Sequence, residues 1–287
     1  MKISVTHRHL ANLVYSKARH SPQTAPLRIL DAGCGDGVLL YHLVESLPAR
    51  NPPVAVDVYG FDVDDWETVL ADVTPKAVAE LSRLRPDTPW HERITVISTQ
   101  DPWRYPDDFF DVIVSNQVLE HVADLPRFWK EVARTLKPGG FSAHLYPTRR
   151  TVVEPHMFVP FAHWFDTYAE RRTHILRMLR LGFGNLRHYP QFTRRDLPEL
   201  AAHNARYLDA FTNYRTPAQM IALAAAEGLH GSTDWAGAFY ALKLRSLLKH
   251  DTAVSYPFGT SPVLRNLATT VCQWGPCLTL VAEKPAT

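Results

Sequence analysis

The chain holds 287 residues, with 31 Lys and Arg against 29 Asp and Glu for a formal charge of +2. Hydrophobic residues at 46% and charged residues at 21% exclude a disordered or collagen-like chain, and near-neutral charge removes any global argument for a nucleic-acid partner. Three cysteines, Cys34, Cys272 and Cys277, are too few for a disulfide framework and read as small core residues.

Leu27–Ala32 reads as a short buried strand that ends in the glycine-rich turn Gly33-Cys34-Gly35-Asp36-Gly37. Val38–Leu47 carries apolar residues at helical spacing and stops before Pro48. Val54–Phe61 forms a second strand, and Thr74–Leu84 a second helix with Thr74 as cap and Pro75 in its first position. Ile94–Ser98 and Phe110–Ser115 are the third and fourth strands. Ala123–Leu136 is an amphipathic helix, Lys137-Pro138-Gly139-Gly140 a stop and turn, and Phe141–Tyr146 a fifth strand. Strand and helix in strict alternation imply parallel strands with right-handed crossovers, hence a doubly wound α/β sheet.

After Pro147 the rhythm breaks. Residues 148–213 are rich in aromatics and arginine without a strand period. The pattern resumes with a helix over Ala218–Glu227, a strand near Leu229–Trp235 and a closing strand at Leu278–Ala282, while about 237–275 forms a second departure containing the helix-like AFYALKLRSLLKH. The expected division is a cofactor-binding core with an N-terminal helical segment over 1–147, an inserted lid over 148–213, and the end of the core sheet over 214–287. Both insertions are expected over the carboxyl edge of the sheet, where open α/β folds place ligands. The stretch MKISVTHRHLANLVYSKARH lacks the apolar centre of a secretion signal, and no apolar run approaches the roughly 20 residues that span a bilayer. A soluble, cytoplasmic protein is expected.

The glycine turn brings backbone close to a ligand, and two details narrow the ligand. The spacing is G-x-G-x-G (Gly33, Gly35, Gly37), and the third glycine of a dinucleotide fingerprint would fall on Val38. Asp31 and Asp36 flank the glycines, and Asp62, Asp64 and Asp65 follow the second strand. Carboxylates repel a pyrophosphate and attract a sulfonium and an ammonium. Asp62 stands about 30 residues after the first aspartate, where a carboxylate can accept both ribose hydroxyls. Each aspartate taken singly is equally readable as a helix or turn cap.

The runs ILDAGCGDG, GFD and FDVIVSNQVLEHVADLPRFWKEVARTLKPGG resemble the class I S-adenosylmethionine-dependent methyltransferases, in the subgroup with the LEHV…LKPGG signature. The resemblance covers about residues 27–147, and Thr216–Trp235 and LTLVAEKP match the family's closing elements more loosely. It implies a mostly parallel, seven-stranded Rossmann-like sheet with helical insertions, and S-adenosyl-L-methionine as cofactor. It implies that Asp31, Gly33, Cys34 (through its backbone), Gly35 and Gly37 hold the methionine part and Asp62 the ribose. Val63 would lie against the adenine, Asp101 or Gln100 would meet its amine, and Trp103 would supply a flat apolar wall. Asn116 and Gln117 would approach the methionine moiety and the transferred methyl.

An alcohol acceptor needs help to lose its proton. His121, near the amino end of a helix and so biased toward neutrality, is one candidate base, and a structural histidine is the competing reading. His156 and His163, at the start of the first insertion, are two more, against the reading of inert histidines in an aromatic lid. No metal site is expected, because Glu154 and His156 alternate and no Cys-x-x-Cys or His-Glu-x-x-His pattern occurs. His7 and His9 read as solvated.

Residues 171–195 hold seven arginines (Arg171, Arg172, Arg177, Arg180, Arg187, Arg194 and Arg195) and no acid, interleaved with Ile175, Leu176, Met178, Leu179 and Leu181. With the aromatic Met157–Phe165 before it, this surface suits a peripheral contact with an anionic membrane face over 157–195 or an acidic acceptor, and equally an ordinary solvated helix face. The expected activity is methyl transfer, to oxygen first, on a small-molecule, saccharide or lipid-linked biosynthetic metabolite. N- or C-methylation and a non-catalytic cofactor-binding protein of the same fold are the alternatives. A nicotinamide-dependent oxidoreductase is disfavoured by the glycine spacing and the acids.

Overall fold

The computed structural model describes residues 1–19, 24–63, 73–186, 191–193, 195–248 and 262–286. The α/β alternation is present: β1 (Leu27–Ala32), α2 (Val38–Ser46), β2 (Val56–Val63), α3 (Val73–Leu84), the one-turn α4 (Trp90–Arg93), β3 (Ile94–Ile97), β4 (Phe110–Asn116), α5 (Leu125–Thr135) and β5 (Leu136–Tyr146), preceded by α1 (Val5–Ala18). The insertion contributes a two-stranded ribbon, β6 (Val153–Glu154) with β7 (Val159–Pro160), then α6 (Tyr168–Arg180) and α7 (Leu197–Phe211). The core closes with α8 (Pro217–Ala226), β8 (His230–Ser232), α9 (Ala236–Leu247), α10 (Pro262–Cys272) and β9 (Leu278–Glu283). Asp64, Asp65, Arg187, Arg194 and the end of the expected helix at Lys249-His250 lie outside the described residues.

The main sheet has seven strands in the order β3-β2-β1-β4-β5-β9-β8. The first five are parallel, and β9 runs antiparallel to both β5 and β8. Strand order reverses between β1 and β4, so the crevice for a ligand opens at their carboxyl ends. Both faces are covered. Leu39, Leu40 and Leu43 of α2, Leu10, Leu13 and Val14 of α1 and Phe239 of α9 pack one side. Phe128, Trp129 and Val132 of α5 with Met220 and Ala224 of α8 pack the other.

Several expected boundaries shift for local reasons. Helix α5 starts at Leu125 rather than Ala123, because the Asp124 side chain accepts the Arg127 N–H at 3.0 Å and Pro126 occupies the first turn, where its missing N–H costs nothing. Helix α3 begins at Val73, so Thr74 lies inside it and is no cap. The Lys137–Gly140 segment is not a turn between helix and strand: β5 runs through it, with Gly139 at φ 79° and a register shift opposite Phe110 and Val112. His9 is not solvated. It is buried on α1 with Nε2 2.9 Å from Thr279 Oγ1 on β9, and its ring packs on Phe239. His7 closes the capping box of α1 with Ser4. Cys34, Cys272 and Cys277 are buried free thiols.

The insertion has its own small core. Ile175 and Leu179 of α6 meet Leu200, Ala201, Ala205 and Leu208 of α7, with Met157, Val159 and Tyr214. Arg171 joins the two helices through Asp209 at 2.6 Å, while Arg172, Arg177 and Arg180 stay exposed.

Candidate active site

The glycine turn at the end of β1 follows from three left-handed residues. Gly33, Gly35 and Gly37 have φ of 80°, 49° and 72°, a region that L side chains rarely adopt. A Cβ on Gly33 would sit 2.6 Å from Val118, and one on Gly37 2.6 Å from Leu81, so both are needed for packing. A Cβ on Gly35 would meet only Asp62 Oδ2 at 4.0 Å; this glycine faces open space.

The backbone N–H groups of the turn are largely engaged within the protein. Gly33 and Cys34 both donate to the Phe61 carbonyl at 2.9 Å, Gly37 donates to Cys34, and Gly35 donates to Asp62 Oδ2 at 2.6 Å. The Cys34 N–H is therefore engaged within the protein, and its carbonyl accepts the Gly37 N–H. A phosphate cradle needs such donors, and here they are used up. What faces the crevice is acidic. Asp31 is 2% exposed, its Oδ1 accepts no hydrogen bond, and burial, then Asp62 and Asp36, push its carboxyl well up. Burial also raises Asp62, against the N–H groups of Val63 and Gly35 that it accepts. The Asn116 Oδ1 at the end of β4 is likewise buried with no hydrogen-bond partner. Two orphaned acceptors, a second carboxylate and an open glycine face fit the ammonium, sulfonium and ribose hydroxyls of S-adenosylmethionine.

Other expected cofactor residues divide. Val63 closes β2 beside Asp62, and Gln100 and Asp101 lie exposed in the turn after β3. Trp103 is not a ligand wall: its ring is buried between Phe61 (4.9 Å) and Phe128 (5.4 Å), and its backbone N–H donates to Glu131 Oε2. Gln117 turns away from the crevice. Its φ is 60°, and its Nε2 donates to Cys277 Sγ at 3.1 Å and toward the Leu145 carbonyl.

The loop between β4 and α5 lies on the glycine turn through Val118 and carries Glu120-His121. Opposite it stands the β6–β7 ribbon. Glu154 Oε1 is 2.6 Å from His156 Nδ1 and accepts the Tyr214 hydroxyl at 2.5 Å, and Oε2 accepts the N–H groups of His156 and Met157 at 2.9 Å. Burial pushes Glu154 up, but these donors outweigh it and hold the carboxyl below its ordinary value. Burial, then Glu154, raises Tyr214. His121 Nδ1 is 2.7 Å from the Phe211 carbonyl, and the two Nε2 atoms of His121 and His156 face each other at 3.2 Å. Burial lowers His121; its neutrality comes from burial, since it lies four residues before α5 begins. Glu120 is 1% exposed, neither of its oxygens accepts a hydrogen bond, and burial lifts it to about 8. Its Oε1 lies 3.9 Å from His121 Nε2. His163 stands behind this group, buried with its ring 4.4 Å from Tyr214, and burial lowers it to about 4.

With sheet order, crevice and acids in place, the comparison with known proteins is decisive: residues 7–205 match the family described as methyltransferase domain. The chain belongs to that family. Its fold is that of the class I S-adenosylmethionine-dependent methyltransferases. Trans-aconitate 2-methyltransferase of Methylobacterium nodulans is 30% identical over 164 residues, 54% of either chain. Ubiquinone biosynthesis O-methyltransferase of a Chelativorans species is 32% identical over 114 residues, 40% of this chain and 38% of that one. The chain thus spans about half or less of the curated relatives it matches. Among solved structures, the YcgJ protein of Bacillus subtilis superposes with a TM-score of 0.50 at 14% identity, covering 98% of this chain and 100% of that one, a likeness of fold.

In this chain, sequence reasoning missed Tyr214, Asn213 and the role of Glu154. Tyr214 lies 60 residues from the carboxylate it binds, so no local signal connects them. Asn213 Nδ2 donates to the Val122 and Ala123 carbonyls, and its N–H to that of Glu120, fastening the end of α7 to the Glu120-His121 loop. In the Glu154-Pro155-His156 run, His156 is legible as a candidate base, whereas Glu154 figures only in the argument on metal spacing.

Proposed function

We propose that this methyltransferase moves the methyl group of S-adenosylmethionine to an oxygen of a small-molecule, saccharide or lipid-linked metabolite admitted beneath residues 148–213. The observation that carries the oxygen assignment is the network in which half-buried His121 and His156 meet buried Glu154 and Tyr214, where the insertion meets the loop after β4. S-adenosylmethionine, when bound, supplies a methyl already activated by its sulfonium. The chain's own work is then to bind, orient, exclude water and remove a proton. Asp31 and Asn116 would hold the methionine end, Asp62 the ribose, and Val63 with Gln100 or Asp101 the adenine, while Gly35 permits close approach. A hydroxyl loses its proton on methylation, and His121 and His156 are the groups placed to manage it. His163, held near pH 4 and behind Tyr214, supports the network.

The names of the curated relatives point to small-molecule acceptors, one of them explicitly an O-methyltransferase. The test is calorimetric titration with S-adenosylhomocysteine and with NAD, followed by incubation with S-adenosylmethionine and hydroxylated, amino and carbon-acid metabolites read by mass. Binding of the homocysteine product and a methyl gained at oxygen is the expected result. Methylation confined to nitrogen or carbon removes the oxygen assignment, and preference for NAD removes the whole reading.

A further inference from the structure

The geometry assigns to Glu120, His121 and His156 a binding site for one divalent transition-metal ion of the zinc class. It deepens the proposed reaction and rests on it for its purpose, but its test reads metal rather than turnover. One ligand atom from each residue lies within 4.8 Å of the other two.

Proton placement is the first observation. A carbonyl can only accept, so the Phe211 oxygen 2.7 Å from His121 Nδ1 fixes the hydrogen of that ring on Nδ1. The ionised Glu154 fixes the hydrogen of His156 on Nδ1 in the same way, at 2.6 Å. In the neutral rings both Nε2 atoms then present lone pairs to each other at 3.2 Å. Two lone pairs repel at that distance unless a positive centre lies between or beside them. Two nitrogens each about 2.0–2.1 Å from a tetrahedral zinc ion stand about 3.3–3.4 Å apart, close to the spacing here.

The second observation is Glu120. It is 1% exposed, and neither carboxylate oxygen accepts a hydrogen bond, although Oε1 is 3.9 Å from His121 Nε2. A buried carboxylate without donors is costly, and a cation removes that cost. A proton shared between the imidazoles would leave Glu120 unserved; a metal ion serves all three groups. Charge also balances, since a dication faces Glu120 and, behind His156, Glu154.

The third observation is the outer partners. Ligating histidines ordinarily donate the other ring N–H to a carboxylate or a backbone carbonyl, and here Glu154 and Phe211 do this for His156 and His121. Two imidazoles and one carboxylate favour zinc or a neighbouring first-row ion over magnesium or calcium, which take mainly oxygen. Three protein ligands leave a coordination position for the acceptor oxygen, whose proton would then be lost more readily to bulk solvent, so that His121 and His156 would manage it through the metal rather than by accepting it themselves.

The full chain, stripped with a chelator, is titrated calorimetrically with zinc chloride and separately with magnesium chloride, and its metal content is measured after desalting. One zinc per chain, with magnesium binding far weaker, is expected. His121→Ala and His156→Ala should each weaken zinc by at least about 100-fold, and Glu120→Gln and Glu154→Gln by about 10–100-fold. His91→Ala, an exposed histidine remote from the group, should change nothing. Circular dichroism and S-adenosylhomocysteine affinity of each variant establish that it is folded. Cobalt(II) substitution should give a visible d–d band that His156→Ala abolishes. No zinc binding by the folded wild type, or binding that the Glu120, His121 and His156 variants leave unchanged, overturns the site. Such a failure leaves the methyltransferase reading standing, whereas zinc binding without S-adenosylhomocysteine binding would fail that reading alone.

Discussion

Asp31 lies enclosed beneath the glycine turn with one oxygen that accepts no hydrogen bond, and burial, then Asp62 and Asp36, raise it well above its ordinary 3.8. A carboxyl raised in the folded state contributes stability that is complete below pH 3.8 and is lost as pH rises through the folded value. The slope is about 1.4 kcal/mol per pH unit between the two values. Asp31→Asn should therefore stabilise the ligand-free protein at neutral pH in urea unfolding while weakening S-adenosylmethionine, whose charge favours the ionised form. An Asn variant that binds as tightly as wild type would show that Asp31 is only structural. Asp62 has two duties, because it already accepts the Gly35 N–H at 2.6 Å before any ribose arrives. Asp62→Ala should lower S-adenosylhomocysteine affinity by about 1.5–3 kcal/mol for each charge-assisted bond lost and also loosen the turn. Unchanged affinity in calorimetry would remove the ribose assignment. These residues were legible in the sequence because glycines and acids at strand ends act locally. Gln117 and Trp103 were misread because what they touch, Cys277 and Phe128, is set by tertiary packing.

Among the elements, α7 joins lid to core. Its end supplies the Phe211 carbonyl that orients His121, and Asn213 just beyond it bonds the carbonyls of Val122 and Ala123 at 3.0 and 3.2 Å. Asn213→Ala should cost about 1–2 kcal/mol of stability and reduce kcat while leaving S-adenosylhomocysteine affinity unchanged. An equal loss in cofactor affinity would mean that the clasp holds the whole crevice and not His121 alone. Helix α6 presents Arg172, Arg177 and Arg180 to solvent, whereas Arg171 is already paired with Asp209. Replacing the three exposed arginines by Gln should raise the acceptor's KM at low salt and erase its salt dependence, as screening acts over about 8–10 Å. A KM indifferent to both salt and the triple change would make them an ordinary solvated face. The parallel core was readable from periodicity. The amphipathic helix among the arginines was readable as well, but not what it packs on, because Ile175 and Leu179 are covered by α7 from a distant stretch of chain.

For the whole molecule, two histidines join elements that lie far apart in sequence. His9 links α1 to β9 through Thr279, and His144 on β5 reaches Ser115 on β4 at 2.8 Å. Both are fully buried, and burial alone lowers each to about 3. The sign is opposite to that of Asp31: the unfolded chain takes up their protons near pH 6.5, while the folded protein resists until about 3. Their stabilisation is present above pH 6.5 and falls on acidification at about 1.4 kcal/mol per pH unit each. Asp31, raised by burial, acts with the opposite sign and offsets part of this loss. In urea unfolding at pH 7 and pH 5, the two histidines together should cost the wild type about 4 kcal/mol more at the lower pH than a variant that lacks them. The double variant His9→Gln, His144→Gln should start less stable but lose nothing further from these positions, so its stability should fall less than that of the wild type between the two pH values. A double variant with the wild-type pH slope would mean that these histidines do not stay neutral in the folded protein. The tie between the first helix and the last strand would then rest on the Lys17–Glu283 ion pair and on packing.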